Sequence, residues 1–353
     1  MSIKGYLIEL AEKKKNSITT DFETISLEAL GKASELWKEF EGEEIKATIG
    51  AVDGSLNKKE FLGFVVFAVA ASSVFFNESG KNEERESYNI DIDVLKPSEY
   101  SDSRIRLFMG ILEIKELLKL YKEENPDIML IDGSIVGDII RPVSFTFQIE
   151  DEEREYVENC LFPELKETFS LNSINSRAFH EKIVKDVKPE KYPVIAGYLE
   201  YLEYLLSIEK LLNVAEDRIV AISKRSSSKI YNFNSIMPDI FIFQMADVPS
   251  GYSNPVEVEI SPEKKYRFPE IFEDSFRKRK INVFFAKFTT DVYKIETNLQ
   301  PEKVMGALKG TIVRNYPYPL KLAHDSVKID NHTMEKIISV LSIHFRTGRE
   351  GVD

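Results

Sequence analysis

The sequence predicts an α/β protein with a mixed sheet at its centre, and three observations carry that prediction. Three β-rich segments follow one another between residues 45 and 95. A long amphipathic segment comes next, and then a short, unbroken apolar one. The tripeptide Asp-Gly-Ser closes two of the expected strands. A strand with one face in water alternates apolar and polar residues, whereas one covered on both faces reads as a continuous apolar run. The resulting order is strand, strand, strand, helix, strand.

A charged amphipathic helix opens the chain. Residues 26–40, with apolar side chains at helical spacing and the sole tryptophan, Trp37, predict a second one. Residues 45–52 are rich in β-formers and end at Asp53-Gly54-Ser55, residue types that favour a turn. Residues 61–76 predict a second strand, the polar stretch 77–86 an exposed hairpin connection, and the alternating stretch 87–95 a half-buried third strand. Between 103 and 122, Leu107, Ile111, Ile114, Leu118 and Tyr121 mark one helical face, and Pro126 ends that helix. Residues 127–131 then form a covered strand that stops at Asp132-Gly133-Ser134.

Helices are expected at 149–168 and 193–213, so that 145–215 reads as an inserted helical lobe. A strand at 218–223 breaks into the polar loop 224–229. A Pro- and Gly-containing stretch, 247–262, leads to strands at 281–288 and 292–297 and to helices at 301–313, 319–327 and 331–346. The core of this plan spans about 45–330, preceded by a helical segment at 1–42.

Composition narrows the chemistry. A chain of 353 residues that is 43% hydrophobic is ordinary for a soluble globular protein. The longest apolar run, 63–76, is too short to span a bilayer and carries Gly, Ala and Ser, so it reads as buried sheet. Charges interrupt every apolar cluster near the start. No signal-peptide core can be drawn there, and a cytoplasmic location is expected. A single cysteine, Cys160, excludes an intrachain disulfide and a multi-cysteine zinc site, and four histidines are few. A bound metal would take mostly oxygen ligands, which favours Mg²⁺ or Mn²⁺ over zinc.

The net charge of −12 argues against coating nucleic acid by bulk attraction. A cleft that holds a short stretch of strand needs only a local basic lining. Lys224-Arg225 with Lys229, and Arg277-Lys278-Arg279-Lys280, are two candidates; each also reads as a solvated charged turn or helix end.

Two strands that each deliver an aspartate at their C-terminal end place both carboxylates at one rim if they are parallel neighbours. Hard cations take carboxylate oxygens, and two-ion phosphodiester cleavage needs a bridging carboxylate plus a further ligand per ion. The helix before Asp132 offers Glu113 and Glu116, three residues apart and so on one face. A lone Asp-Gly-Ser is usually only a good turn. Two of them, each ending an apolar strand and separated by a helix bearing carboxylates, carry more. Downstream, Tyr316-Pro317-Tyr318-Pro319-Leu320 precedes Ala323-His324, and Pro319 fits the first turn of a helix that carries His324. That histidine reads as a metal ligand, as a group orienting water or phosphate, or as a capping or core residue. Tyr316 reads as a packed aromatic or a base-stacking surface.

The ordered set of a strand ending Ala51-Val52-Asp53-Gly54-Ser55, a helix with Met109 and Glu113, a strand ending Leu130-Ile131-Asp132-Gly133-Ser134, an Ile222-Ser223-Lys224 strand end and the Tyr316-to-His324 stretch resembles the NurA family. These are archaeal and bacterial nucleases that partner the hexameric translocase HerA. The resemblance implies a single NurA-type domain over 1–353 with an RNase H-like core, mixed sheet and flanking helices. It further implies Mn²⁺- or Mg²⁺-dependent DNA cleavage, with 5′→3′ exonuclease and single-strand endonuclease activities in DNA end resection, and a homodimer whose channel accepts DNA. By position, Asp53, the helix glutamate and Asp132 would be metal ligands. Tyr316 and His324 would complete the site, His324 also as a ligand, and Lys224 with Arg225 beside it would contact DNA. Glu113, four residues after Met109, is preferred over Glu116. In the two-ion scheme one metal activates a water and the other stabilises the leaving 3′-oxygen.

Two other classes stand beside this reading. One is a non-catalytic RNase H-like clamp on a motor ring, which would lack a carboxylate; none of the expected ones is missing. The other is a metal-dependent phosphatase acting on small phosphate esters, which would be indifferent to strand length. The segment 3–11 is a candidate docking surface for the ATPase, or packs within the molecule or a dimer.

Overall fold

The computed structural model describes residues 3–22, 26–77, 85–140, 143–260 and 267–343. The chain opens with α1 (Ile3–Phe22), α2 (Leu27–Glu35) and β1 (Trp37–Glu39), and continues through β2 (Ile49–Phe61), β3 (Phe64–Phe76), β4 (Arg85–Leu95), α3 (Ser101–Glu124) and β5 (Ile128–Asp132). A helical stretch follows: α4 (Ile135–Ile140), α5 (Asp151–Tyr156), α6 (Phe162–Glu167), α7 (His180–Asp186) and α8 (Tyr192–Ala215). The remainder alternates, with β6 (Ile219–Ser223), α9 (Asp239–Met245), β7 (Gly251–Ser253), β8 (Val256–Glu259), α10 (Glu270–Arg277), β9 (Lys280–Lys287) and β10 (Val292–Thr297). It closes with α11 (Pro301–Lys309), β11 (Ile312–Val313), β12 (Tyr316–Pro317), α12 (Tyr318–Val327) and α13 (Asn331–Val340).

Ten strands form one sheet in the order β1-β7-β9-β10-β6-β5-β2-β3-β4, with β8 also paired to β9. β2, β3 and β4 are consecutive antiparallel neighbours. The chain then crosses through α3 and returns as β5, parallel to β2, with β6 parallel to β5. Three antiparallel strands followed by two parallel ones is the RNase H-like arrangement.

Alternation along the central strands separates two cores. Ile49, Ala51, Leu130 and Ile222 face Val304, Met305, Leu320 and Ala323 of α11 and α12. Val52, Met129, Ile131 and Ala221 face the side covered by α3 and α8. Helix α3 is buried beyond a single stripe because α8 packs along it. Two buried ion pairs cross that contact, Arg104 to Glu200 and Lys115 to Glu203, each at 2.5 Å.

Several expectations need correction. The stretch 26–40 is not one helix: α2 stops at Glu35 and Trp37 begins an edge strand paired to β7. Trp37 fits either state by type, and pairing with Ser253 decides it. The first Asp-Gly-Ser does not end its strand, because β2 runs through it to Phe61 and turns at Gly63, whose φ is +90°. Two short strands not expected from the sequence, β7 and β8, lie in the Pro- and Gly-containing stretch. The helix expected at 301–313 stops at Lys309 and gives way to the β11–β12 ribbon. The last helix ends at Val340, and residues 78–84 of the expected hairpin connection lie outside the described residues.

Candidate metal centre at the rim of the sheet

The parallel ladder of β2 and β5 sets Val52 opposite Ile131, so the next residue of each strand, Asp53 and Asp132, comes to the same rim. Asp53 is buried, and its Oδ1 accepts from the Gly54 N–H at 2.9 Å. Its Oδ2 lies 2.6 Å from Nδ1 of His324, which α12 carries on the same face of the sheet. Asp132 sits where the second Asp-Gly-Ser does make a turn: Gly133 has φ +128°, and its N–H donates to Ile222 at 2.9 Å.

Glu113 reaches the rim from the opposite face. Alternation places Gly54 toward α3, and a β-carbon there would stand 2.8 Å from Cγ of Met109 and 3.1 Å from Oε2 of Glu113. The glycine in this tripeptide therefore serves close helix approach rather than a turn. Glu116 faces elsewhere. It is fully buried, accepts from the Ser73 hydroxyl at 3.0 Å and has Lys119 at 3.9 Å. Three residues further along the helix is about 4.5 Å of rise, enough to take Glu116 off the rim and onto β3.

The electrostatics describe an acidic cluster. Burial, then the charges of Asp53, Asp138 and Asp132, push the Glu113 carboxyl well above its ordinary value. Burial also raises Asp53, against the pull of His324 and with the help of Asp132. Two nitrogen groups answer the negative charge: His324 on Asp53, and Lys224, whose Nζ lies 2.8 Å from Oδ2 of Asp132 and 4.0 Å over the Tyr316 ring. The buried hydroxyl of Tyr316 lacks a well-formed hydrogen bond, and burial followed by the charge of Asp132 holds it strongly protonated. Among the described residues, no three His, Cys, Asp or Glu side chains stand close enough together to hold a metal ion as they are placed.

The rim opens into a cavity of about 510 Å³ bounded by Glu113, Asp132, Asp138, Arg106, Tyr201 and Tyr204, among others. Asp138, on α4, was not expected from the sequence; it falls in an Ile-Val-Gly-Asp-Ile-Ile stretch with no motif around it. Glu296 of β10 was missed too. It is fully buried and accepts from the Ser134 hydroxyl at 2.5 Å, the Val136 N–H at 3.0 Å and Lys294 at 2.5 Å, so it holds the turn that carries Asp132. The sequence signal was present: two charges at alternate positions in Val-Tyr-Lys-Ile-Glu-Thr, on a strand buried throughout.

Of the two basic runs, only the first reaches the rim. Lys224 contacts Asp132, and Arg225 is exposed beside it, while Lys229 donates to the Ser235 carbonyl at 3.1 Å. Each residue of the second run is compensated locally, Arg277 by Glu273, Lys278 by Asp274, Arg279 by Glu216 and Lys280 by Glu257. It forms no free lining.

A family model described as the NurA domain matches residues 47–329. The chain is 30% identical to a Methanocaldococcus jannaschii protein named probable DNA double-strand break repair nuclease NurA, over 97% of this chain and 90% of that protein. The crystal structure of the NurA nuclease from Sulfolobus solfataricus superposes with a TM-score of 0.73 at 23% identity, covering 97% of each chain. A NurA structure bound to dAMP and manganese gives a TM-score of 0.68 at 19% identity over 98% of each.

Proposed function

Since this chain belongs to the NurA family, we propose that it is a metal-dependent deoxyribonuclease acting in DNA double-strand break repair. The observation that carries this reading is the convergence of Asp53, Glu113 and Asp132 on one rim from two strands and a helix. The name of the Methanocaldococcus relative and the manganese and dAMP held by a NurA structure support the same reading.

The donor set fits a hard divalent cation, Mn²⁺ or Mg²⁺ and two ions per site in our reading: three carboxylates with an imidazole beside them, in a cluster whose mutual repulsion a cation would relieve. Asp53, Glu113 and Asp132 would hold it. When bound, the metal supplies Lewis-acid stabilisation of phosphoryl oxygens and a nucleophilic water at neutral pH. With Nδ1 engaged by Asp53, His324 presents Nε2 outward, as a ligand or to a phosphate oxygen. Lys224, exchanged off Asp132, sets its ammonium against the phosphate. The buried, protonated Tyr316 hydroxyl beside Asp132 is left with a proton to donate.

The finer parts of this reading are 5′→3′ exonuclease and single-strand endonuclease activity in DNA end resection, a homodimer, a HerA-type hexameric ATPase as partner, and one nuclease domain working in the cytoplasm. No helix of the described residues is long and apolar enough to cross a membrane. Helix α1 leaves Ile3, Tyr6, Leu7, Ile8 and Leu10 exposed, which supports a role for it in a protein contact. The test of the activity is cleavage of a 5′-labelled single-stranded oligonucleotide with Mn²⁺, Mg²⁺ or EDTA, beside Asp53→Ala. Degradation that needs metal and is lost in the variant supports the reading; an inert wild-type protein, or an undiminished variant, sinks it.

A further inference from the structure

A second cavity, of about 350 Å³, lies on the other side of the Asp132 turn and shares Ser134 with the first. Its polar wall is made by Arg225, the serine run Ser226-Ser227-Ser228 and Lys294, its other wall is apolar, with Val136, Ile230, Val258 and Val283, and none of its described lining residues is acidic. Lys294 is nine-tenths buried. One of its N–H groups goes to Glu296, at 2.5 Å, and an ammonium has three to give. Ser226 accepts the Ser228 N–H at 3.1 Å, which leaves its own O–H to donate. Glu296 neutralises Lys294, so the exposed Arg225 guanidinium supplies the net positive charge, in the planar fork that matches an oxyanion.

From this combination of one buried ammonium, one exposed guanidinium and a run of hydroxyls, we infer that the cavity is a binding site for a second phosphate of the DNA strand, separate from the one being cleaved. The identity of the oxyanion as a nucleic-acid phosphate rests on the nuclease reading. The shared wall at Ser134, two residues from Asp132, makes the same strand the source. Two kinds of phosphate have this chemistry, a 5′-terminal monoester and an internal diester. A terminal phosphate held here measures the distance from a 5′ end to the cut.

The experiment is binding in EDTA of short single-stranded oligonucleotides carrying a 3′ fluorophore, with a 5′-phosphate or a 5′-hydroxyl, to the wild type, Arg225→Ala and Ser227→Ala. Both positions are exposed, so the fold is retained, and Ser227→Ala changes no charge. A terminal phosphate site gives a wild-type preference for the 5′-phosphate of about tenfold that both variants erase. An internal site gives equal binding of the two ends, weakened alike in both variants, with the salt slope of Arg225→Ala reduced by about one. Variants that bind both ends as tightly as wild type at every salt concentration overturn the inference. Wild-type cleavage with Mn²⁺ is run in parallel. Cleavage with unaltered binding in the variants removes the pocket alone, and altered binding without any cleavage removes the nuclease reading alone.

Discussion

Glu113 lies over Gly54 so closely that a β-carbon at residue 54 would stand 3.1 Å from its Oε2, and 2.8 Å from Cγ of Met109 one turn earlier. The strand and the helix can bring their carboxylates together only because that position has no side chain. Gly54→Ala therefore pushes α3 outward or turns Glu113 aside. We expect overpacking to cost about 1–3 kcal/mol in thermal or denaturant unfolding, and metal-dependent cleavage to fall about a hundredfold through displacement of the carboxylate. Cleavage at the wild-type rate, in a protein destabilised as expected, would show that the Glu113 position does not matter.

Glu113→Gln and Glu116→Gln separate the two helix acids. Only the first should abolish cleavage, since Glu116 is committed to Ser73 and lies away from the rim. The pH dependence follows from the raised carboxyls. The folded state holds the Glu113 proton more tightly than the unfolded chain, so this group favours folding below about 4.5 and that advantage is lost as pH rises through the raised value. Asp53 shifts in the same direction. In EDTA, wild type should lose stability from these groups as pH climbs above about 4.5, and Glu113→Gln should melt higher than wild type at neutral pH. Because a metal must displace that proton, Mn²⁺ affinity should rise with pH. An EDTA melting profile indistinguishable between the two proteins would remove this account.

Much of this arrangement was legible in the residues, and the failures have physical causes. Apolar runs and alternation located the strands around 45–95 and 127–131 because the sheet is covered on one or both faces there. The first Asp-Gly-Ser reads as a turn and is not one: turn propensity is a local property, and the thirteen-residue pairing of β2 with β3 overrides it. Helical spacing alone does not separate Glu113 from Glu116, because it fixes a face and not which strand lies beneath it; the preference for Glu113 comes from the resemblance. Asp138 has no motif around it, and the alternate charges of Lys294 and Glu296 mark a buried strand without saying what they hold, since the role of each comes from contacts with residues far away in sequence. The Arg277-to-Lys280 run looked like a lining only until its four acidic partners were in view.

Lys224 occupies Asp132 at 2.8 Å and so competes with any cation for that carboxylate. Lys224→Met should bind Mn²⁺ more tightly than wild type, measured by calorimetry, while cleaving DNA more slowly with a raised KM. The salt dependence of DNA binding should flatten by about one unit, as for any lost phosphate contact. Tighter metal binding together with slower cleavage is the signature. A variant weaker in both would mean that Lys224 organises Asp132 rather than opposing the metal.

Glu296 reaches the reaction only through the turn it holds. Its carboxylate joins the Ser134 hydroxyl, the Val136 N–H and the Lys294 ammonium, and it is fully buried. Glu296→Ala strips three donors of their acceptor and leaves a nearly buried ammonium uncompensated, which typically costs about 3–5 kcal/mol. Glu296→Gln with Lys294→Met removes both charges and keeps an amide oxygen for the turn, so it should regain most of that stability. The cleavage rate should follow the turn: lowered in Glu296→Ala, and in the double variant restored toward wild type on a 5′-hydroxyl substrate. If Glu296→Ala melts within about 1 kcal/mol of wild type and cleaves normally, the Ser134 turn is held by something other than this buried pair.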